Sequence, residues 1–138
     1  MILSFTKVNA STIKLSKHLL LSEYECKCSY EECTRSLVQA STVKSFSKLR
    51  AEWGSILIVT SAFRCQRHNK HVGGTNSSYH KIGAAMDLRP NGNFTVDELD
   101  RLEEMARKHF DVVLRYEGFI HCHNIDNDMD GNNIIGEH

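Results

Sequence analysis

The sequence predicts an α+β fold in which a small antiparallel sheet carries the functional site and is flanked by helices. Two segments, residues 41–53 and 95–109, repeat apolar side chains at the spacing of an amphipathic helix. Three other segments are short and rich in apolar residues, as strands are: residues 55–60, 84–88 and 111–123. Because helical and strand-like segments alternate and the strands are short, we expect the strands to pair antiparallel.

The predicted helices have recognisable ends. The first is expected to start at an N-cap hydroxyl in residues 41–42 and to stop before Gly54, because glycine commonly follows the end of a helix. The second begins with Thr95 and Glu98, which form the pattern of a capping box. A further helix is predicted for residues 10–21.

The C-terminal half predicts most of the sheet. Residues 111–116 and 118–123 are strand-like segments with almost no chain between them, so we expect a paired hairpin. Residues 84–88 are mostly apolar and stop before Pro90, as a short strand would. Gly83 precedes this strand and allows the backbone to turn at low steric cost.

Length and charge limit the possible functions. The 138 residues are enough for one domain with a substantial core, and we expect a single domain over residues 1–138 with its motif-bearing part at about 55–125. Lysine plus arginine and aspartate plus glutamate both total 17, so the formal net charge is zero. A general nucleic-acid binder needs a basic surface, and no apolar run approaches the length of a membrane span. We therefore expect neither nucleic acid nor membrane as a partner, and we expect a monomer.

Two segments together offer the ligands of a divalent metal. His80 and Asp87 are seven residues apart, which on a helix is two turns or about 10 Å along the axis, so they could not hold one metal from a helix as residues four apart do. They can lie on a loop and on the strand that follows it, both facing a third ligand on a neighbouring strand. Residues 117–123 contain the histidines for that position. Catalytic zinc sites commonly use three protein ligands and leave a fourth position for water.

At these residues the sequence resembles a known family. The pattern Ser-x-His-x-x-Gly-x-Ala-x-Asp in residues 78–87, followed by His-x-His in residues 121–123, is similar to the zinc D-Ala-D-Ala carboxypeptidase family. That family includes bacterial D,D-carboxypeptidases, D-Ala-D-Ala dipeptidases and phage L-alanyl-D-glutamate endopeptidases, and hedgehog signalling domains share its fold. The resemblance implies that His80, Asp87 and His123 bind zinc.

Two further residues are candidates for catalysis. Glu117 lies six residues before His123 and would share its face on an extended segment, so we expect it to be the general base that takes a proton from the zinc-bound water. His121 falls on the same face and is the candidate that stabilises the oxyanion of a tetrahedral intermediate. The alternatives are a surface acid at Glu117 and a structural role for His121.

Arg64 and Ser78 are the candidates for substrate binding. Arg64 follows the apolar run of residues 56–59, so a strand leading into a loop would deliver its guanidinium to the edge of the sheet. A guanidinium matches a carboxylate bidentately, and the family resemblance implies a carboxylate-binding arginine in a similar Ser-x-x-Arg context. The alternative is a solvated surface arginine.

The five cysteines do not predict a full disulfide framework, because their number is odd and the chain opens without a secretory leader. Cys26, Cys28 and Cys33 are close enough in sequence to form a bridge or part of a second metal site, although no fourth partner is evident. Reduced structural thiols are the default expectation. Cys122 alternates with His121 and His123, so we expect it to face the core.

The C-terminal tail suggests a calcium loop. Residues 126–137 fit the pattern D-x-D-x-D-G-x5-E, with Asp126, Asp128, Asp130 and Glu137 as oxygen ligands. Asn133 stands where an EF-hand usually has an apolar residue. A solvated acidic turn is the alternative.

Three functions are compatible with these patterns. The first, and the one we expect, is a zinc peptidase that cuts peptide stems of peptidoglycan in the role of a phage endolysin. The others are a zinc-bearing wall-binding or virion-structural module without turnover, and a soluble D-Ala-D-Ala dipeptidase. The opening residues lack the basic and apolar regions of a secretory signal, so we expect synthesis in the cytoplasm and action on the cell wall after release through a holin. The sequence leaves open whether L-Ala–D-Glu, D-Ala–D-Ala or D-Ala–diaminopimelate is cut.

Overall fold

The computed structural model describes residues 1–125 and the backbone of residues 134–137. The elements in chain order are β1 (Ile2–Thr6), a 3-10 helix (Ala10–Thr12), β2 (Lys14–Ser16), β3 (Leu19–Leu20), α1 (Leu21–Tyr24), β4 (Arg35–Gln39), α2 (Ala40–Trp53), β5 (Leu57–Ser61), α3 (Gln66–His71), a second 3-10 helix (Tyr79–Ile82), β6 (Ala85–Pro90), α4 (Val96–Ala106), β7 (Val112–Tyr116), β8 (Phe119–His123) and β9 (Ile134–Glu137). The predicted α+β class is confirmed. None of the described helices has the length and hydrophobicity needed to cross a bilayer.

A four-stranded antiparallel sheet forms the centre of the C-terminal half, with the strand order β5-β6-β8-β7. The predicted hairpin is confirmed: β7 and β8 pair across the two residues Glu117 and Gly118. In the register between β6 and β8, Asp87 lies opposite His121 and Ala85 lies opposite His123. The two motifs found in the sequence are therefore on adjacent strands.

The two faces of this sheet have different chemistry. Met86 and Leu88 of β6 and Ile120 and Cys122 of β8 are fully buried in the core, which confirms the orientation expected for Cys122. Because side chains alternate along a strand, the residues between them project from the opposite face. Asp87 therefore shares a face with the histidines of β8.

Helix α4 packs on the core side of the sheet. Its buried residues are Leu99, Leu102 and Ala106, which repeat at three and four residues as the sequence predicts. The capping box is also confirmed: Thr95 Oγ1 accepts from Glu98 N at 3.1 Å, and Glu98 Oε1 accepts from Thr95 N at 3.3 Å.

A smaller sheet covers the N-terminal part, with the strand order β4-β1-β9. Strand β1 pairs antiparallel with β4, so that Phe5 lies opposite Ser36, and it pairs parallel with the backbone of β9. The chain passes from Gln39 at the end of β4 directly into α2. Because no loop separates β4 from α2, residues of both elements pack in the same hydrophobic core as the large sheet.

Two expectations for the N-terminal half are wrong. Residues 10–21 do not form one helix, because Ile13 and Leu15 alternate with polar residues and the chain folds into the β2–β3 hairpin. The N-cap of α2 is Gln39 and not residue 41 or 42. Thr42 is buried inside the first turn, where its hydroxyl donates to the Ala84 carbonyl at 3.2 Å.

Gly83 joins the N-terminal part to the segment that precedes β6. Its φ of +70° is left-handed, and a Cβ at this position would lie 2.0 Å from the Leu37 carbonyl oxygen. Its own carbonyl accepts hydrogen bonds from the Tyr24 hydroxyl and from Gln39 N. Only glycine fits both the backbone conformation and the close approach of β4.

We predict that Gly83→Ala lowers the free energy of unfolding by roughly 2–4 kcal/mol, because backbone strain and a clash with a main-chain atom add together. Gly92→Ala is the matched control, since Gly92 also has a positive φ of +68° but has open space around a Cβ. Urea denaturation of both variants measures the difference. Equal losses in the two variants would show that the contact with Leu37 does not matter.

Candidate metal centre

His80 is placed by a short 3-10 helix whose two ends are defined. Ser78 caps the start, since its Oγ accepts from His80 N at 3.2 Å. Gly83 ends the helix in the left-handed conformation. Ser78, which the sequence suggested for substrate binding, therefore also fixes the backbone of His80.

The imidazole of His80 is buried and has one partner on each ring nitrogen. Nδ1 lies 2.6 Å from the Ala62 carbonyl oxygen and Nε2 lies 3.1 Å from Asp87 Oδ1. A carbonyl oxygen only accepts, so Nδ1 carries the hydrogen and donates. Nε2 is therefore the nitrogen that faces Asp87, which is the orientation of a metal-binding histidine whose other nitrogen is held by the backbone.

Asp87 lies at the centre of the site and is 5% exposed. Its Oδ1 lies 3.1 Å from the rings of both His80 and His121, and its Oδ2 accepts from Arg64 Nη2 at 3.1 Å. Burial by itself raises the pKa of this carboxyl group, but hydrogen bonds from His121 and His80 outweigh burial and lower the pKa to about 2. Asp87 is therefore anionic at neutral pH.

The two histidines of β8 lie side by side on the sheet face that carries Asp87. His121 Nδ1 is the atom 3.1 Å from Asp87 Oδ1, and His121 Nε2 lies 2.7 Å from His123 Nδ1. The His123 ring stacks on Tyr79, with centroids 4.0 Å apart and planes 11° apart. Burial lowers the pKa of His123 to about 4, and the neighbouring His121 and His80 add to the effect, so its ring is neutral at neutral pH.

The donor atoms that converge belong to His80, Asp87 and His121, and these atoms all lie within 4.8 Å of one another. The sequence assigned the third position to His123 and an oxyanion role to His121. The structure brings both rings to the site, but it puts His121 opposite Asp87 and His123 behind His121. Two imidazole nitrogens and one carboxylate oxygen are a donor set that suits zinc with a position left open for substrate.

The donor atoms face a cavity of about 490 Å³. The Gly73–Gly74 pair, Thr75 and Ser77 form one side, and Leu114, Tyr116 and Phe119 form the other. Leu114 and Tyr116 are 43% and 48% exposed, so this side is open to solvent. Tyr116 and Phe119 stack, with centroids 5.0 Å apart.

Glu117 is not brought to this cavity. It occupies the two-residue turn between β7 and β8, is exposed, and lines a separate cavity with Phe94 and Arg115. The sequence expectation assumed that residues 117–123 form one extended strand. A hairpin turn at Glu117 breaks the alternation that would have kept its side chain on the face of His121 and His123.

Arg64 does reach the site, and its guanidinium is held by three side chains. Nε donates to Ser61 Oγ at 2.9 Å, Nη1 donates to Asn69 Oδ1 at 3.3 Å, and Nη2 donates to Asp87. Asn69 is buried and also donates to the Thr75 carbonyl at 2.9 Å. Arg64 thus connects the metal-site carboxylate to the loop that borders the cavity.

Asn69 and Tyr79 contribute to the site but were not singled out in the sequence. Asn69 falls in α3, where the sequence shows only polar residues, and nothing in its spacing points to Arg64. Tyr79 lies next to His80 within the motif, and this position could have indicated that its ring is close to the site. The proposed calcium ligands Asp126, Asp128 and Asp130 lie outside the described residues, as does the side chain of Glu137.

We predict that Arg64→Met lowers the free energy of unfolding by roughly 2–4 kcal/mol, because it leaves the buried carboxylate of Asp87 without one of its partners. Lys108→Met is the matched control, since it removes a cation from an exposed pair with Glu52 and should change stability little. Urea denaturation compares the two. If both variants lose a similarly small amount of unfolding free energy, the hydrogen bond from Arg64 does not stabilise the buried Asp87 carboxylate.

Comparison with known proteins agrees with this geometry. A family model described as Peptidase M15 matches residues 17–123, which is most of the chain and includes all the residues of the candidate centre. No curated protein matches the sequence significantly. Peptidases of this family depend on zinc, and the donor set described above suits that metal. The chain belongs to the Peptidase M15 family of zinc metallopeptidases.

Proposed function

We propose that this protein is a zinc peptidase that hydrolyses a bond in the peptide stems of peptidoglycan. The observation that supports the proposal is the convergence of His80, Asp87 and His121 on the floor of an open cavity. Membership of the Peptidase M15 family supports the same chemistry.

The ligands that we propose for zinc are His80 Nε2, an oxygen of Asp87 and His121 Nδ1. This set differs from the one carried over from the sequence, because His121 and not His123 is opposite Asp87. A zinc ion in that position supplies Lewis acidity toward a peptide carbonyl and toward water. Four-coordinate zinc held by these three protein ligands would keep a fourth position for water or substrate.

The surrounding residues hold each ligand in the required state. The Ala62 carbonyl keeps the hydrogen of His80 on Nδ1. His123 is neutral, so its Nδ1 can accept the hydrogen of His121 Nε2 and leave His121 Nδ1 free to bind metal. Arg64 holds Oδ2 of Asp87 and so orients the carboxylate. We therefore assign positioning roles to Arg64 and His123.

The shape of the cavity supports an extended peptide as substrate. One side is formed by glycines and small hydroxyl residues, which leave space and offer backbone groups, and the other side presents the stacked pair Tyr116 and Phe119. Peptidoglycan stems consist of mostly small residues joined to a polymer. An open cavity suits a stem attached to the wall better than the closed pocket expected of a dipeptidase, and this supports the finer proposal of a lytic role such as that of a phage endolysin.

We predict that His80→Ala, Asp87→Ala and His121→Ala each abolish zinc binding at this centre, because each removes one of three protein ligands. His123→Ala should retain the metal with an affinity weaker by roughly 10–100-fold, as expected for a residue that orients a ligand. Zinc titration followed by native mass spectrometry measures both effects. Loss of zinc in His123→Ala together with retention in His121→Ala would restore His123 as the third ligand.

Digestion of purified peptidoglycan tests the function itself. The zinc-loaded protein should release defined peptide fragments, and mass spectrometry of these fragments names the bond. Asp87→Ala should yield none, whereas Glu117→Gln should retain activity close to that of the wild type, because Glu117 lines a different cavity.

Three outcomes would contradict parts of this proposal. No cleavage by protein that demonstrably holds zinc would indicate a binding module. Cleavage of free dipeptides but not of intact walls would indicate a dipeptidase. Loss of activity in Glu117→Gln at unchanged zinc content would restore Glu117 as the base.

A further inference from the structure

Four of the five cysteines form a second cluster away from the candidate metal centre. Cys26, Cys28 and Cys33 come from the segment between α1 and β4, and Cys65 comes from the residue before α3. Their sulfur atoms all lie within 4.8 Å of one another, and none of them is in a disulfide. The sequence pointed to the first three thiols but offered no fourth, which the fold supplies from 32 residues further along the chain.

The distances in this cluster fit a metal tetrathiolate. Cys26 Sγ and Cys65 Sγ are 3.7 Å apart, and Cys65 Sγ and Cys28 Sγ are 3.9 Å apart. Sulfurs bound to one tetrahedral zinc at about 2.3 Å lie about 3.8 Å from each other. Sulfurs of a disulfide would lie about 2.05 Å apart. The observed spacing therefore matches four ligands of one ion.

The surroundings of the cluster are also suited to thiolates. The backbone N–H of Cys65 donates to Cys26 Sγ at 3.3 Å, and the backbone N–H of His68 donates to Cys65 Sγ at 3.4 Å. Lys7 Nζ lies 3.9 Å from Cys28 Sγ and donates to the Cys26 carbonyl at 3.2 Å. Zinc with four thiolates has a net charge of −2, so these donors and the ammonium of Lys7 offset the charge.

We propose that Cys26, Cys28, Cys33 and Cys65 bind a structural zinc ion that is separate from the catalytic one. All four protein ligands are present, so the site is closed and has no position for substrate, as in structural zinc sites. Binding replaces the four thiol protons by one Zn²⁺ and releases them to solvent. No oxidant or reductant is involved.

The proposed zinc would tie a segment without regular secondary structure to a distant part of the chain. Residues 25–34 contain no helix or strand, and the cluster ties them to the segment that follows β5. Cys65 is adjacent to Arg64, whose guanidinium holds Asp87. The structural zinc would therefore fix the backbone from which Arg64 reaches the catalytic carboxylate.

Metal counting on the full-length protein tests the proposal. Wild-type protein prepared with zinc under reducing conditions should carry about two zinc ions per chain, one for each site. His80→Ala should retain one ion, and a Cys28→Ser/Cys65→Ser variant should lose the structural ion and unfold at a lower temperature. Cys122→Ala is the matched control, because Cys122 lies on β8 and does not belong to the cluster.

Cobalt substitution gives a readout that does not depend on activity. Co²⁺ bound by four thiolates shows thiolate-to-metal charge-transfer absorption, which should appear in the wild type, His80→Ala and Cys122→Ala. It should be absent from Cys28→Ser/Cys65→Ser.

The wild-type protein alone can overturn the proposal, so it stays testable even if the cysteine variants fail to fold. The proposal fails if the wild type binds one metal ion that His80→Ala abolishes. It also fails if the reduced, zinc-treated wild type shows no charge-transfer band with cobalt, or if mass spectrometry finds the four cysteines paired as disulfides in protein purified under reducing conditions.

Discussion

The register between β6 and β8 is the constraint on which the rest of the site depends. It places Asp87 directly opposite His121, with Met86 and Cys122 pointing the other way into the core. A slip of one residue would bury the charged and imidazole side chains in the core and expose the apolar ones, at a large cost in free energy. The hydrophobic core therefore selects the same register that the metal centre needs, and stability and chemistry are determined together.

Burial of Asp87 makes its partners necessary. A carboxylate that is 5% exposed is stable as an anion only where neighbouring polar groups replace the lost water. Here Arg64 donates to Oδ2, and both imidazoles lie 3.1 Å from Oδ1. Arg64 is itself fixed by Asn69, which is buried beneath Gly74 so closely that a Cβ there would lie 2.1 Å from the amide oxygen. The carboxylate is thus oriented by a chain of contacts that reaches the loop beside the cavity.

The parts of the site that the sequence predicts are those encoded by local spacing. His80 and Asp87 belong to one motif of ten residues, and alternation alone places Cys122 in the core. Alternation could not decide between His121 and His123, because both project from the same face and only the pairing with β6 distinguishes them. The face expected for Glu117 conflicts with the hairpin that the same sequence predicts, because the turn between β7 and β8 contains Glu117 and interrupts the alternation.

Long-range neighbours were the least predictable feature. The fold brings Cys65 to three thiols that precede it by more than thirty residues, and β1 to β4 across a comparable separation. No periodicity in the sequence records such contacts. They depend on how β5 and α3 return the chain to the N-terminal half, which only the tertiary structure shows.

The two imidazoles that face Asp87 use different ring nitrogens, and the backbone explains why. His80 projects from a 3-10 helix whose neighbour is the Ala62 carbonyl, so Nδ1 is occupied and Nε2 faces Asp87. His121 projects from a strand, with His123 two residues further on the same face, so Nε2 is occupied and Nδ1 faces Asp87. Each ring is thereby held from the side away from Asp87. The ring nitrogens that face Asp87 belong to residues that line the cavity, so the function proposed above would place the reacting peptide bond there.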